Sequence, residues 1–236
     1  MSPGSWEILE QRKRTILVCT IAPPDLAVSM NWEDYIEKLQ LPPGSQKMRI
    51  VGLPFGPARN HGAKTALDNN FSYLGFLDSD VLPPPDMFTK LMETNLDIVS
   101  GLYYQRFWPY LPVMFNMAMD EQGKQQRVNI EGWQPGQIVP ATFVPAGALL
   151  VKRRVLEVMF QNFPMPFQWG VDTAETPGIP SFSEDFTFTY RAQQLGFMPH
   201  VHTGIPCLHE VRAIIGPRWQ VRGPDANPLF GVCGIL

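Results

Sequence analysis

The chain has little of what marks the more specialised classes of protein. Only three cysteines, Cys19, Cys207 and Cys233, occur in 236 residues. They are far apart and odd in number, which excludes a disulfide framework and suits a reducing compartment, so the expected location is cytoplasmic. Long apolar runs are also missing. Near the N-terminus the longest, Ile16 to Ala22, stops at Pro23 and Pro24, too short for a bilayer span or a full signal sequence, so no transmembrane segment is expected. Basic residues are not in excess: 19 Lys and Arg against 22 Asp and Glu leave a net charge of -3. They are scattered, so there is no field for a phosphate backbone and no nucleic-acid partner is expected. Internal repeats and low-complexity tracts are absent. What remains, 44% apolar and 11% aromatic residues, belongs to an ordered globular chain of one domain over 1–236, with a loop-rich C-terminal segment 210–236.

The apolar pattern alternates short buried runs with helical periodicity, the mark of an α/β fold. Thr15–Ile21, Met48–Leu53, Tyr73–Leu77, Asp97–Tyr103, Val113–Met119 and Phe143–Val151 are predicted strands. Predicted helices cover NWEDYIEKL from Asn31, Ala58–Asn69 with Pro57 in its first turn, a segment with Phe88, Leu91 and Met92 after Pro83–Pro85, and Glu184–Leu195. The 24 prolines gather in loops, notably Asn162–Phe182 and Gly216–Pro228. Such loops on a rigid scaffold often carry function.

Three constellations could carry chemistry. Asp78-Ser79-Asp80 falls at the carboxyl end of a predicted strand, where open α/β sheets collect ligands. A triplet of this kind arises on the order of once by chance in a chain this long, and helix capping is its ordinary use. Two carboxylates with no basic neighbour in sequence are nevertheless suited to a hard divalent cation, Mg²⁺ or Mn²⁺, shared with diphosphate oxygens. Ser183-Glu184-Asp185 opens a helix, where acids complement the macrodipole. If Asp185 faces the same cleft it could also accept a proton. His200, His202, Cys207 and His209 alternate as strand residues do. They suggest either a zinc site of unusual spacing or a single histidine completing a shell begun by Asp80.

Taken in order, four segments resemble the GT-A glycosyltransferases, particularly the family 2 type: GPARNHGAKTAL from Gly56, FLDSDV from Phe76, PAGALLVKRRVL from Pro145 and SEDFTFTYRAQQLGF from Ser183. The similarity runs from about Thr15 to His209. It implies a nucleotide-diphospho-sugar transferase fold, a Rossmann-like mixed sheet flanked by helices, and a metal-dependent transfer of a sugar from a nucleotide-diphosphate donor to an acceptor hydroxyl. On that resemblance Asp78 lies near the donor, Asp80 and His209 hold Mn²⁺ or Mg²⁺, and Asp185 is the general base of an inverting reaction. Arg59 and Asn60 contact the donor, and Arg218 or Arg222 closes over the diphosphate. One departure is Gly52-Leu-Pro-Phe where many members carry Asp-Asp-Gly-Ser, which leaves the donor base open.

The acceptor, a saccharide, a lipid-linked molecule or another hydroxyl compound, would meet the aromatic residues Tyr103, Tyr104, Trp108, Phe167 and Trp169. A lipid-borne acceptor would need only peripheral membrane contact. The competing activity is nucleotidyl transfer, which calls for a glycine-rich basic loop after the first strand, where this chain has Ala22-Pro23-Pro24-Asp25. A third reading is a catalytically inactive sugar- or nucleotide-binding module on the same fold.

Overall fold

A computed structural model describes residues 14–22, 28–123, 125–170 and 182–211. Strand β1 (Ile16–Ala22) is buried along its whole length, as a central parallel strand covered on both faces must be. Helix α1 (Met30–Glu37) is capped by the Ser29 hydroxyl, which accepts from the Trp32 amide at 3.0 Å. There follow β2 (Gln46–Val51), α2 (Phe55–Asp68), β3 (Tyr73–Asp78), the short β4 (Val81–Leu82), α3 (Met87–Glu93) and β5 (Ile98–Leu102). A hairpin of β6 (Phe115–Met119) and β7 (Gln125–Asn129), then β8 (Ile138–Pro140), β9 (Ala148–Lys152) and α4 (Arg153–Asn162), complete the middle of the chain. Helix α5 (Glu184–Gln194), β10 (Pro199–Pro206) and β11 (Leu208–His209) close it.

Seven strands form one mixed sheet in the order β2-β1-β3-β9-β5-β10-β8. β1 runs parallel to β2 and β3, whereas β9 enters antiparallel between β3 and β5. This is the GT-A-like, Rossmann-type α/β architecture. Alternation along β1 feeds two cores: Leu17, Cys19 and Ile21 face α2, α4 and α5, while Ile16 and Val18 face α1 and α3. Helix α2 sits close because it presents small residues to the sheet. A Cβ on Gly62 would lie 2.9 Å from the Cys19 sulfur.

The predicted strand Phe143–Val151 begins only at Ala148, because the chain turns at Ala146 and Gly147, whose amides donate to Asp185 and to the Tyr103 hydroxyl while the Gly147 carbonyl accepts from the Asp78 amide at the end of β3. The predicted Val113–Met119 strand likewise starts at Phe115. Helix α4 was not predicted, although Val155, Leu156 and Met159 form its buried stripe. The ribbon of β4 and β11 pairs His209 with Val81, and this long-range pairing carries His209 to the acidic turn after β3.

Candidate active site

At the carboxyl end of β3 the chain turns through Ser79, and the two carboxylates of the triplet enter different surroundings. Asp78 belongs to a buried ionic cluster. Arg59, on the inner face of α2, is 2% exposed and places Nη2 2.9 Å from Asp78 Oδ1 and Nε 3.2 Å from Glu184 Oε1. Burial works against the guanidinium charge, but Asp78, Asp185 and Glu184 outweigh it and raise the Arg59 pKa. Burial also raises Asp78 and Glu184, with Arg59 pulling both back. The Asp78 carbonyl accepts from the Trp32 indole at 3.0 Å and its amide donates to the Gly147 carbonyl at 3.0 Å, which fixes the strand end from both sides.

Asp80 is more open. Its Oδ2 is 2.7 Å from Arg106 Nη1, and its Oδ1 is 3.6 Å from His209 Nε2. Burial alone would raise Asp80, but the nearby imidazole and Arg106 hold it below the ordinary carboxylate value. The other imidazole nitrogen of His209, Nδ1, lies 2.7 Å from the Tyr104 carbonyl oxygen. A carbonyl only accepts, so Nδ1 carries the proton. In the neutral ring, Nε2 then turns a bare lone pair toward a carboxylate oxygen, an arrangement that needs a proton or a cation between the two atoms.

The gap of 3.6 Å is too long for a good hydrogen bond. Two ligands about 2.1 Å from one hard cation stand about 3 Å apart when adjacent and about 4.2 Å apart when opposite, so the pair falls between the two and would close by about half an ångström to hold such an ion as adjacent ligands. Among the described residues no group of three or more His, Cys, Asp or Glu side chains gathers around a metal position. Among the described residues Asp80 and His209 are the two side chains here that could hold a cation. Burial opposes charge on His209, yet Asp80 and the Tyr104 carbonyl raise its pKa.

Asp185, in the first turn of α5, is close enough to Asp78 and Arg59 for their charges to act on one another. Its Oδ1 accepts from the Ser183 hydroxyl and from the Phe186 amide at 2.8 Å, and its Oδ2 from the Ala146 amide at 3.2 Å. A carboxylate has about four lone-pair positions, which leaves one on Oδ2. Gly147 donates to the Tyr103 hydroxyl at 3.1 Å, and a side chain at Gly147 would collide with that hydroxyl. Tyr103 is buried, and burial together with the Asp78 and Asp185 charges keeps the phenol protonated.

Asn60 bonds to protein backbone. Its amide nitrogen donates to the Gly56 and Phe167 carbonyls at 2.9 and 2.6 Å, and its oxygen accepts from the Phe167 amide at 3.0 Å. It thereby fixes the loop after α4 against α2. Phe167 is buried and stacks on Phe188 with ring centroids 4.0 Å apart. Tyr104, Trp108 and Trp169 are exposed and are the aromatic faces left for an acceptor.

Cys19 and Cys207 are free, buried thiols pushed by desolvation to about 12, unsuited to metal binding as thiolates. His202 accepts from the Gly204 amide at 3.1 Å. The zinc alternative is not assembled among the described residues. Arg218, Arg222 and Cys233 lie outside the described residues. Sequence reasoning missed Arg106, an isolated arginine among aromatics with no local pattern. It also missed the pairing of Glu184 with Arg59, which only the packing of α2 beside α5 creates.

No protein-family model matches the sequence, and no curated protein matches it. Among solved structures, the chain is similar to the crystal structure of A197 from STIV, with a TM-score of 0.57 and 16% identity over 84% of this chain and 86% of that one. It is also similar to the crystal structure of GalNAc-T7 with UDP, GalNAc and Mn²⁺, with a TM-score of 0.49 and 13% identity over 84% of this chain and 44% of that one. At such identities the likeness concerns the fold, and the chemistry rests on the side chains described above. No helix among the described residues is long and apolar enough to cross a membrane.

Proposed function

We propose that the protein is a metal-dependent glycosyltransferase that moves a sugar from a nucleotide-diphosphate donor to an acceptor hydroxyl. The observation that carries this reading is the convergence of Asp80 Oδ1 and His209 Nε2, 3.6 Å apart, with Nδ1 of the ring turned to the Tyr104 carbonyl, beside two further carboxylates at the carboxyl end of β3. Asp80 and His209 would hold Mn²⁺ or Mg²⁺, which when bound supplies Lewis-acid stabilisation to the departing diphosphate. Arg59 holds Asp78 at the strand end, where it borders the donor. The free position on Asp185 Oδ2 accepts the proton of the acceptor hydroxyl as that oxygen attacks the anomeric carbon. The bond from that carbon to the diphosphate breaks, and its electron pair leaves with the phosphate oxygen. With a single attack the anomeric centre inverts.

Calorimetric titration with a panel of nucleoside diphosphates, each with and without Mn²⁺, tests the donor side. The expected result is Mn²⁺-dependent binding of one nucleotide by the wild type and none by Asp80→Ala. If no nucleotide binds the folded wild type with Mn²⁺ present, the proposal is wrong. Three donors already bonded to Asp185 favour a second reading, a binding module without turnover. Once the donor is known, single-turnover transfer separates the two: Asp185→Asn should slow an active enzyme by about 10²- to 10⁴-fold.

A further inference from the structure

Asp80 has two side-chain oxygens and two side-chain partners, and one short loop supplies the first and orients the second. The segment between β5 and β6 leaves the sheet at Tyr103 and returns by a bridge from Tyr104 to Pro112, with the Gln105 amide donating to the Leu111 carbonyl at 2.9 Å. Tyr104 of this loop holds Nδ1 of His209, and Arg106 holds Oδ2 of Asp80 at 2.7 Å. Arg106 is half exposed, at 48%, so its other guanidinium nitrogens face solvent at the mouth of the site. Among the described residues the other arginine of the site, Arg59, is buried and bonded to Asp78 and Glu184, and its one unpartnered nitrogen, Nη1, is itself buried.

We infer that Arg106 is a diphosphate-binding residue that rests on Asp80 in the free protein and transfers its guanidinium to the donor's phosphate oxygens when the donor binds. The inference deepens the glycosyltransferase reading and rests on it. A carboxylate that ligates a divalent cation has less negative charge to offer a guanidinium, and the cation and Arg106 repel one another across Asp80. The incoming diphosphate supplies the anionic oxygens that the planar guanidinium binds best. Arg106 thus opposes the bare cation but favours the cation together with the diphosphate. A residue that merely props the loop would not produce these opposite signs.

Calorimetry with Mn²⁺ alone and with nucleoside diphosphate plus saturating Mn²⁺, on wild type, Arg106→Ala and Arg106→Lys, tests this. In Arg106→Ala, Mn²⁺ alone should bind about two- to five-fold tighter, since an exposed competing ion pair is removed. The nucleoside diphosphate should bind about ten- to one hundred-fold weaker, since a charge-assisted phosphate contact is lost. Arg106→Lys, which keeps the charge without the fork, should fall between. Nucleotide affinity within two-fold of wild type in Arg106→Ala, or weaker binding of Mn²⁺ alone, would overturn this role and leave the glycosyltransferase reading standing. Loss of Mn²⁺-dependent nucleotide binding in the wild type itself would remove both.

Discussion

Asp78 and Asp80 are two residues apart and stand in opposite circumstances. Asp78, partly exposed, is paired with the buried Arg59, which also holds the buried Glu184, a cluster contributed by β3, α2 and α5. Asp80 meets an exposed arginine and a histidine whose ring is turned by a loop carbonyl. In the first region one guanidinium serves two carboxylates, Asp78 and Glu184, and its Nη1 is buried without a hydrogen-bond partner, so the cluster fixes the geometry of the strand end. In the second, an imidazole turned by the Tyr104 carbonyl faces a carboxylate oxygen, a pair that either a proton or a cation can bridge. The same residue type therefore acts as frame at one position and as candidate ligand two positions later; the two side chains are similarly exposed, at 25% and 33%, and the partners each meets decide which.

The contrast makes ordered predictions about stability. Arg59→Met should have the largest effect, about 3–5 kcal/mol lost in urea unfolding, because the buried Glu184 and the partly buried Asp78 both lose their partner. A loss under about 1 kcal/mol would show that water reaches the cluster and that the distinction fails. Asn60→Ala should come next, at about 1–3 kcal/mol, since the Phe167 amide and carbonyl lose their partners. Faster proteolysis near Phe167 would locate the damage. Asp80→Ala and His209→Ala should each change stability by about 1 kcal/mol or less, as open polar pairs contribute little, while abolishing Mn²⁺-dependent nucleotide binding. Unfolding of the same variants with and without Mn²⁺ sharpens the point: the ion should raise the wild-type midpoint and leave both variants unmoved. Trp108→Ala, at an exposed loop tip, should lie within about 0.5 kcal/mol of wild type.

Much of the frame was legible. Continuous apolar runs marked β1 and β3, and the spacing of Ala63, Ala66 and Leu67 marked α2, because these signals are local and repeat with the period of the element. Asp78 and Asp80 were legible as a strand-end pair for the same reason. The start of β9 was misjudged by several residues, since apolar Val144 and Ala146 read like strand but lie in the turn around Gly147, where they are buried by tertiary packing. Asn60 read as a donor contact through the resemblance of GPARNHGAKTAL, and its bonds to the backbone of Phe167 had no signal in that segment. That partner lies 107 residues away, beyond any local pattern.

By itself the sequence determined an α/β chain with acidic residues at a strand end and at a helix start, because chain period and residue polarity are properties of neighbours. Only the tertiary structure decided that Arg59 locks Asp78 to Glu184 across 125 residues, and that the pairing of β4 with β11 sets His209 beside Asp80. It alone placed Arg106 on that same carboxylate. Those choices depend on which elements pack together and how much water each site keeps, and both are fixed only when the sheet is assembled.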